Sequence, residues 1–204
     1  MKVLNLYAGI GGNRSAWPLD ECVISIEIDP KIAAVYSHVY PNDTIVIGDS
    51  IVYLQDHYGE FDFIWSSPPC QSHGQYRHNV GVLGKGYRPI MPDMSLYAQI
   101  VFLQTYAKCL WVVENTTPYY TPLIAPSSSV GRHLIWSNFK VPFLKLPPSN
   151  IRTKNSIFDF DELSHFVINS NIPNKRQVMR NMVDKRASAH IWEAFIKSRK
   201  EATP

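Results

Sequence analysis

The sequence predicts an α/β fold with a doubly wound, mostly parallel sheet, and three observations carry the prediction. Short β-branched or aromatic runs alternate with helix-like stretches over the first two thirds of the chain. Helix-start signals follow several of these runs, and glycines or acids stand at their ends. Repeated strand, helix, strand order favours a parallel sheet whose ligands bind at the carboxyl ends of the strands.

Each element has its own signal. "KVLNLY" (2–7) reads as a buried strand and "CVISIEI" (22–28) as a second. "TIVIG" (44–48), "FDFIWS" (61–66) and "LWVVEN" (110–115) read as the third, fourth and fifth. Helices are expected over 13–17, 30–39, 50–57 and 93–108, with Asp29 capping a helix whose first turn holds Pro30, and Asp93 capping the longest. Beyond Asn115 the pattern loosens into "TTPYYTPLIAPSSS" and two short apolar runs, "HLIWSNF" and "KVPFLKLPP". The prolines concentrated there suit irregular connections more than a second sheet. A last helix is expected over about 184–200.

The chain has 204 residues, 45% hydrophobic and 18% charged, which suits one globular domain with a sizeable core. A net charge of +3 does not by itself mark a nucleic-acid binder, but its distribution is uneven. Between Gln71 and Asp93 no acid occurs, while Arg77, Lys85 and Arg88 do, with Tyr76 and Tyr87 among them. Acids are absent again between Ser127 and Ser156, where Arg132, Lys140, Lys145, Arg152 and Lys154 accumulate. From Lys175 to Lys200 there are eight Lys or Arg against Asp184 and Glu193. Such stripes can follow a phosphate backbone or form a solvated basic face. Cys22, Cys70 and Cys109 include no CxxC pair, and no secretory leader or apolar run of about 20 residues is present, so a reducing, cytoplasmic setting without membrane or metal is expected.

The ends of the predicted strands carry the chemistry. "YAGIGGN" sets Gly9, Gly11 and Gly12 where backbone amides can approach a ligand, although a plain tight turn has the same composition. Glu27 ends the second strand, where a carboxylate can accept from ribose hydroxyls, and Asp49 ends the third, within reach of an adenine amine. Either acid alone is more often a surface residue or a helix cap. After the fourth strand, "SSPPCQSHG" holds Cys70 behind Pro68 and Pro69, which fix φ and remove two backbone donors. Such stiffness positions a nucleophile, whereas an arbitrary lone cysteine is usually structural. The following segment, with Gly74, Gly81, Gly84 and Gly86, reads as a mobile basic loop able to close over a substrate. Glu114 ends a strongly apolar strand, where desolvation is expected to raise its pKa and let it hold a proton.

"LNLYAGIGG", "EIDP", "GDS", "SSPPCQS", "DMSLY" and "VVEN" occur in the order found in the cytosine-C5 DNA methyltransferases, and residues 3–115 resemble that family. The resemblance implies a Rossmann-like fold binding S-adenosyl-L-methionine. Tyr7, Gly9, Gly11, Gly12 and Pro69 would line the cofactor, Glu27 would hold its ribose and Asp49 its adenine. Cys70 would be the nucleophile that adds to C6 of a flipped cytosine, and Glu114 would hold the base edge. Arg77, Lys85 and Arg88 would contact DNA. "VGRHLIWSNF" resembles the family's arginine-bearing segment, with Arg132 meeting the base or its phosphate; the usual second arginine is missing and His133 stands beside it. "RQVMRNMVDKRASAHIWEAF" resembles the closing segment, with Asn181 on the cofactor side.

The expected organisation is a catalytic core over 1–136, a small target-recognition region over 137–175 and a C-terminal helix returning to the core over 176–204. So short a recognition region implies short or relaxed sequence specificity, as in a compact phage or bacterial orphan enzyme, or specificity supplied by a separate partner. Double-stranded DNA is the expected substrate and a monomer the expected state. Two alternatives stand beside this reading: a cytosine-C5 methyltransferase acting on transfer RNA, and a non-catalytic nucleic-acid-binding protein of the same fold.

Overall fold

The computed structural model describes residues 1–147, 170, 172 and 174–202. Its centre is a seven-stranded sheet in the order β3-β2-β1-β4-β5-β7-β6. The strands are β1 (Lys2–Leu6), β2 (Cys22–Glu27), β3 (Thr44–Ile47), β4 (Phe63–Ser66), β5 (Leu110–Thr116), β6 (Ser128–Val130) and β7 (His133–Ser137). All run parallel except β7, which is antiparallel to both β5 and β6. The five expected strands are present, four of them ending or starting a residue or two inside the expected bounds and the fifth running one residue beyond, to Thr116. The two short apolar runs had suggested irregular chain; "HLIWS" instead forms β7 and, with β6, extends the same sheet.

The helices are α1 (Pro30–Val39), α2 (Ser50–His57), α3 (Ser95–Tyr106), α4 (Lys175–Asn181) and α5 (Lys185–Ala202). Asp29 caps α1 through its carboxylate, which accepts from the Lys31 and Ile32 amides, with Pro30 in the first turn. Asp93 accepts from the Ser95 amide at the start of α3. The helix expected over 13–17 is a single 3₁₀ turn, Arg14–Ala16, because too few residues lie between the glycine turn and Pro18 for a longer one. Helix α4 was not foreseen.

Side chains of the central strands alternate between two apolar faces, as a sheet covered on both sides requires. Val3, Phe63, Trp65 and Val112 point to one face, where Trp17 and the α5 residues Ile191, Trp192 and Phe195 complete the core. Phe63 and Phe195 stack there with ring centroids 4.0 Å apart. Leu4, Leu6, Ile64, Trp111 and Val113 point to the other face, against Leu54 of α2 and Leu96, Ile100 and Leu103 of α3.

Sequential strands spread one way from β1 to β3 and the other way from β4 to β5, so the order reverses between β1 and β4. Open α/β sheets bind ligands outside the strand ends at such a point. The glycine turn leaves β1 and the Pro-Pro-Cys stretch leaves β4 on either side of it, joined where the Ser67 amide donates to the Leu6 carbonyl.

Candidate active site

The turn after β1 is built by backbone geometry that few residues tolerate. Tyr7 has φ of 57° and Gly11 of 84°. A Cβ on Gly11 would lie 2.2 Å from Tyr40 Cε2, so glycine is required there by both conformation and space. A Cβ on Gly12 would meet Met182 Cβ at 3.0 Å and the Val183 amide at 3.1 Å, which places the closing segment directly against the turn. Asn181 is exposed one residue before that contact.

Glu27 is 8% exposed, and its two oxygens receive the Gly9 and Asp29 amides, each at 2.9 Å. It therefore braces the turn and still offers a further lone pair on each oxygen. Asp49 is exposed and caps α2, its Oδ1 accepting from the Ile51 and Val52 amides at 2.7 and 3.2 Å. Tyr7 is held at both ends: its amide donates to Ser50 Oγ and its hydroxyl accepts from Gln99 Nε2 at 2.7 Å. Gln99 is buried and takes the Ser66 hydroxyl on its other atom. Ser50 and Gln99 escaped the sequence reading, since a polar residue on a helix is unremarkable until its neighbours are known.

Beneath the turn lies a buried polar network that the sequence did not announce. Arg14, 1% exposed, pairs through Nε and Nη2 with both oxygens of Asp43 at 2.7 and 3.0 Å. Tyr36 donates to the same carboxylate and accepts from Ser25, which accepts from Asn5, which in turn accepts from Asn13. The chain of bonds ties the turn to β1, β2 and α1.

Cys70 is half-buried four residues beyond β4. Its carbonyl accepts from the His73 and Gly74 amides, which turns the chain sharply behind it. Pro68 is anchored by Asn115, whose Nδ2 donates to its carbonyl at 2.9 Å. Burial raises the Cys70 pKa above the ordinary thiol value, and the nearby Glu114 carboxylate raises it further while Arg132 opposes. Asn115, next to Glu114 in sequence, is thus a clamp on the cysteine stretch that strand patterning could not reveal.

Glu114 lies on β5 opposite Ile135 of β7 and is 6% exposed. His133 Nδ1 stands 2.9 Å from its Oε2. The expectation of a raised pKa is corrected. Burial does push the carboxyl up, but His133, the Ser67 hydroxyl and Arg132 together outweigh it and hold Glu114 below the ordinary carboxylate range. It is therefore an ionised acceptor rather than a resting acid. Arg132 is exposed, with Nε donating to His133 Nε2 at 3.1 Å and Nη2 to the Arg180 carbonyl at 3.0 Å.

The acid-free segment after Cys70 has more internal structure than a free loop. Residues Arg77–Leu83 form a π-helical stretch, closed where the Tyr87 amide donates to the Gly81 carbonyl. The segment docks on the chain following β5: the Tyr119 amide donates to the His73 carbonyl, and His78 stacks on Tyr119 at 4.4 Å. Arg77 donates to the Arg88 carbonyl, while Lys85 and Arg88 are exposed. Leu83 and Met91 are 71% and 91% exposed in the same segment, which presents apolar and basic side chains together. Most of the region expected to recognise the target, with Arg152 and Lys154, lies outside the described residues.

Parallel strands with the reversal at β1 and β4, a glycine turn, and acids at the ends of β2 and β3 define the class as an open, doubly wound α/β fold, and a methyltransferase shares it. The Entamoeba histolytica methyltransferase EhMeth superposes with a TM-score of 0.55 over 98% of each chain at 11% identity. A Thermus thermophilus hypothetical protein gives 0.45 at 16% identity over 71% of this chain and 75% of that one. A SAM-dependent methyltransferase from Agrobacterium tumefaciens gives 0.41 at 14% identity over 59% and 40%. Residues 1–89 match the family model of the C-5 cytosine-specific DNA methylases, and methyl transfer is the activity that match supports. No curated protein sequence matches the chain. No described helix is long and apolar enough to cross a membrane.

Proposed function

We propose that this protein transfers a methyl group from S-adenosylmethionine to C5 of a flipped cytosine in double-stranded DNA, through a covalent adduct of Cys70 at C6. The observation that carries the proposal is the juxtaposition of Cys70 and Glu114. Ser66 pairs with Val113 across the parallel β4 and β5, so the two chains leave the sheet side by side, and the thiol senses the Glu114 charge. The match of residues 1–89 to the DNA methylase family gives the pair its chemical context.

The residues at the turn suit the cofactor. Nothing lies within 4 Å of where a Cβ of Gly9 would stand, so a ligand can approach the backbone there. Glu27 retains lone pairs for ribose hydroxyls, and Asp49, with Oδ1 committed to α2, retains Oδ2 for an adenine amine. In this reading Tyr7, Gly11, Gly12 and Pro69 would line the cofactor, with Asn181 approaching from the closing segment that meets Gly12. When bound, the cofactor supplies an electrophilic methyl group on sulfonium sulfur.

C5 of cytosine is too weak a nucleophile to take that group unaided. The Cys70 thiolate adds to C6, and the electron pair of the C5–C6 bond is released toward C5 and the ring nitrogen as N3 takes a proton from solvent water. Glu114, an acceptor, holds the N3 hydrogen and the exocyclic amine and so favours that protonated state. After methyl transfer, C5 loses its proton to water, the C6–S bond breaks to return the thiolate, and N3 gives its proton back to solvent, leaving neutral 5-methylcytosine. The π-helical segment, with Arg77, Lys85 and Arg88, would lie along the phosphates while the base is out of the stack. Arg132 keeps guanidinium hydrogens for the base or its phosphate beyond those given to His133 and Arg180.

The test is incubation of the purified protein with a mixed-sequence duplex and labelled S-adenosylmethionine, followed by base-resolution mapping of 5-methylcytosine. Methylation in a short repeated context is the expected result. A folded, cofactor-binding protein that labels RNA, or no nucleic acid, overturns it.

A further inference from the structure

The two donors beside Glu114 are each constrained by a second partner. Trp65 Nε1 carries a hydrogen and cannot accept, and it ends on Ser67 Oγ at 2.8 Å. One side of the hydroxyl being taken by that hydrogen, its own proton is left for Glu114, whose pKa Ser67 lowers. On the opposite side, a guanidinium can only donate, and Arg132 Nε donates to His133 Nε2 at 3.1 Å. That nitrogen must be bare, so the ring proton sits on Nδ1, 2.9 Å from Glu114 Oε2. Arg132 is fixed in turn by its bond to the Arg180 carbonyl at the end of α4.

We propose that His133 is a positioning residue for Glu114: Arg132 fixes its tautomer, and its Nδ1–H holds the buried carboxylate as an acceptor aimed at the base edge. This rests on the reading of Glu114 as the group that meets the base edge. It assigns a role to the residue standing beside Arg132 where a second arginine was expected. It also links the site to the closing segment, because the arginine that sets the tautomer is held by α4. The other groups that bear on the pair are Cys70 behind β4 and Asp184 before α5, which is itself paired with Arg186.

The test reads Glu114 directly in the free protein, with neither DNA nor cofactor. The infrared carbonyl band of protonated Glu114 is isolated by difference against Glu114→Gln and followed as pH falls. In the native protein the band appears only below the ordinary glutamate range. In His133→Leu, where burial is no longer opposed by the imidazole, it appears at least about one pH unit higher. His133→Gln can donate to Glu114 and accept from Arg132, and should restore most of the native titration. Should His133→Leu fail to fold, Ser67→Ala removes the other donor and must move the band upward as well. A folded His133→Leu that titrates like the native protein overturns the proposal, as does His133→Gln titrating like His133→Leu or an unmoved band in Ser67→Ala. With an active preparation, the acid limb of kcat should follow the band in His133→Leu while KM for S-adenosylmethionine stays constant. Failure of methyl transfer to DNA leaves the titration result standing, so the two readings fail separately.

Discussion

In the proposed mechanism Cys70 is the nucleophile, and Asp49 combines a helix cap with a cofactor contact. Cys70→Ser should lower methylation at least about a thousandfold while leaving cofactor affinity intact, because serine keeps the turn and loses the nucleophile. Unchanged turnover would remove Cys70 from the mechanism. Since burial and Glu114 raise the thiol pKa, the reactive thiolate grows as pH rises above neutrality, and a pH profile of the single-turnover rate should climb toward alkaline pH. A profile already flat at pH 7 would contradict that sign. Asp49 caps α2 and is the candidate for the adenine contact, so Asp49→Ala should cost about 1 kcal/mol of stability and weaken S-adenosylmethionine binding. Asp49→Ser keeps a capping oxygen but is shorter, so calorimetry should find the melting temperature recovered and the weakened affinity retained. Equal affinity in all three proteins would reduce Asp49 to a cap.

At the scale of elements, the glycine turn stands on the buried Arg14–Asp43 pair. Arg14→Met removes one charge and leaves the other uncompensated beside Tyr36, so a loss of about 3–5 kcal/mol is expected in a denaturant titration. A loss below 1 kcal/mol would show that water reaches Asp43 and that the pair is ornamental. Legibility in the sequence followed burial on two faces. Strands β1, β2, β4 and β5 carry apolar residues on both sides and were read nearly to their ends. The 3₁₀ turn at Arg14–Ala16 and helix α4 are short, and β6 holds only "SSV", so neither period had room to show. Strand β7 was visible as an apolar run but not as a strand, since an antiparallel strand placed by its partners has no helix after it to announce it.

Across the whole molecule, α5 closes one face of the sheet and brings the chain back to its beginning. Trp17 stacks on Trp192 at 5.1 Å, and its Nε1 donates to Ser188, whose hydroxyl donates to the Asn13 carbonyl. Phe195 is fully buried against Phe63, so Phe195→Ala should cost about 3–5 kcal/mol and shift the urea midpoint downward. Because the same helix follows Met182 and Val183 onto Gly12, loosening it should also weaken cofactor binding, which the same preparation can report. A large stability loss with unchanged cofactor affinity would separate the two roles.

The sequence by itself determined the strand and helix order, the doubly wound class and the candidates Cys70, Glu27, Asp49 and Glu114, because these depend on local periodicity and on which residue ends a strand. Only the tertiary structure decided what those residues experience. Glu114 is ionised although buried, since His133, Ser67 and Arg132 come from β7, the β4 loop and the chain between β6 and β7. Arg14, Asn115 and Gln99 became meaningful only when their partners arrived from elsewhere in the chain. Local pattern records which side chains leave the water; the free energy of a buried charge depends on what meets it there, and that is a property of the assembled fold.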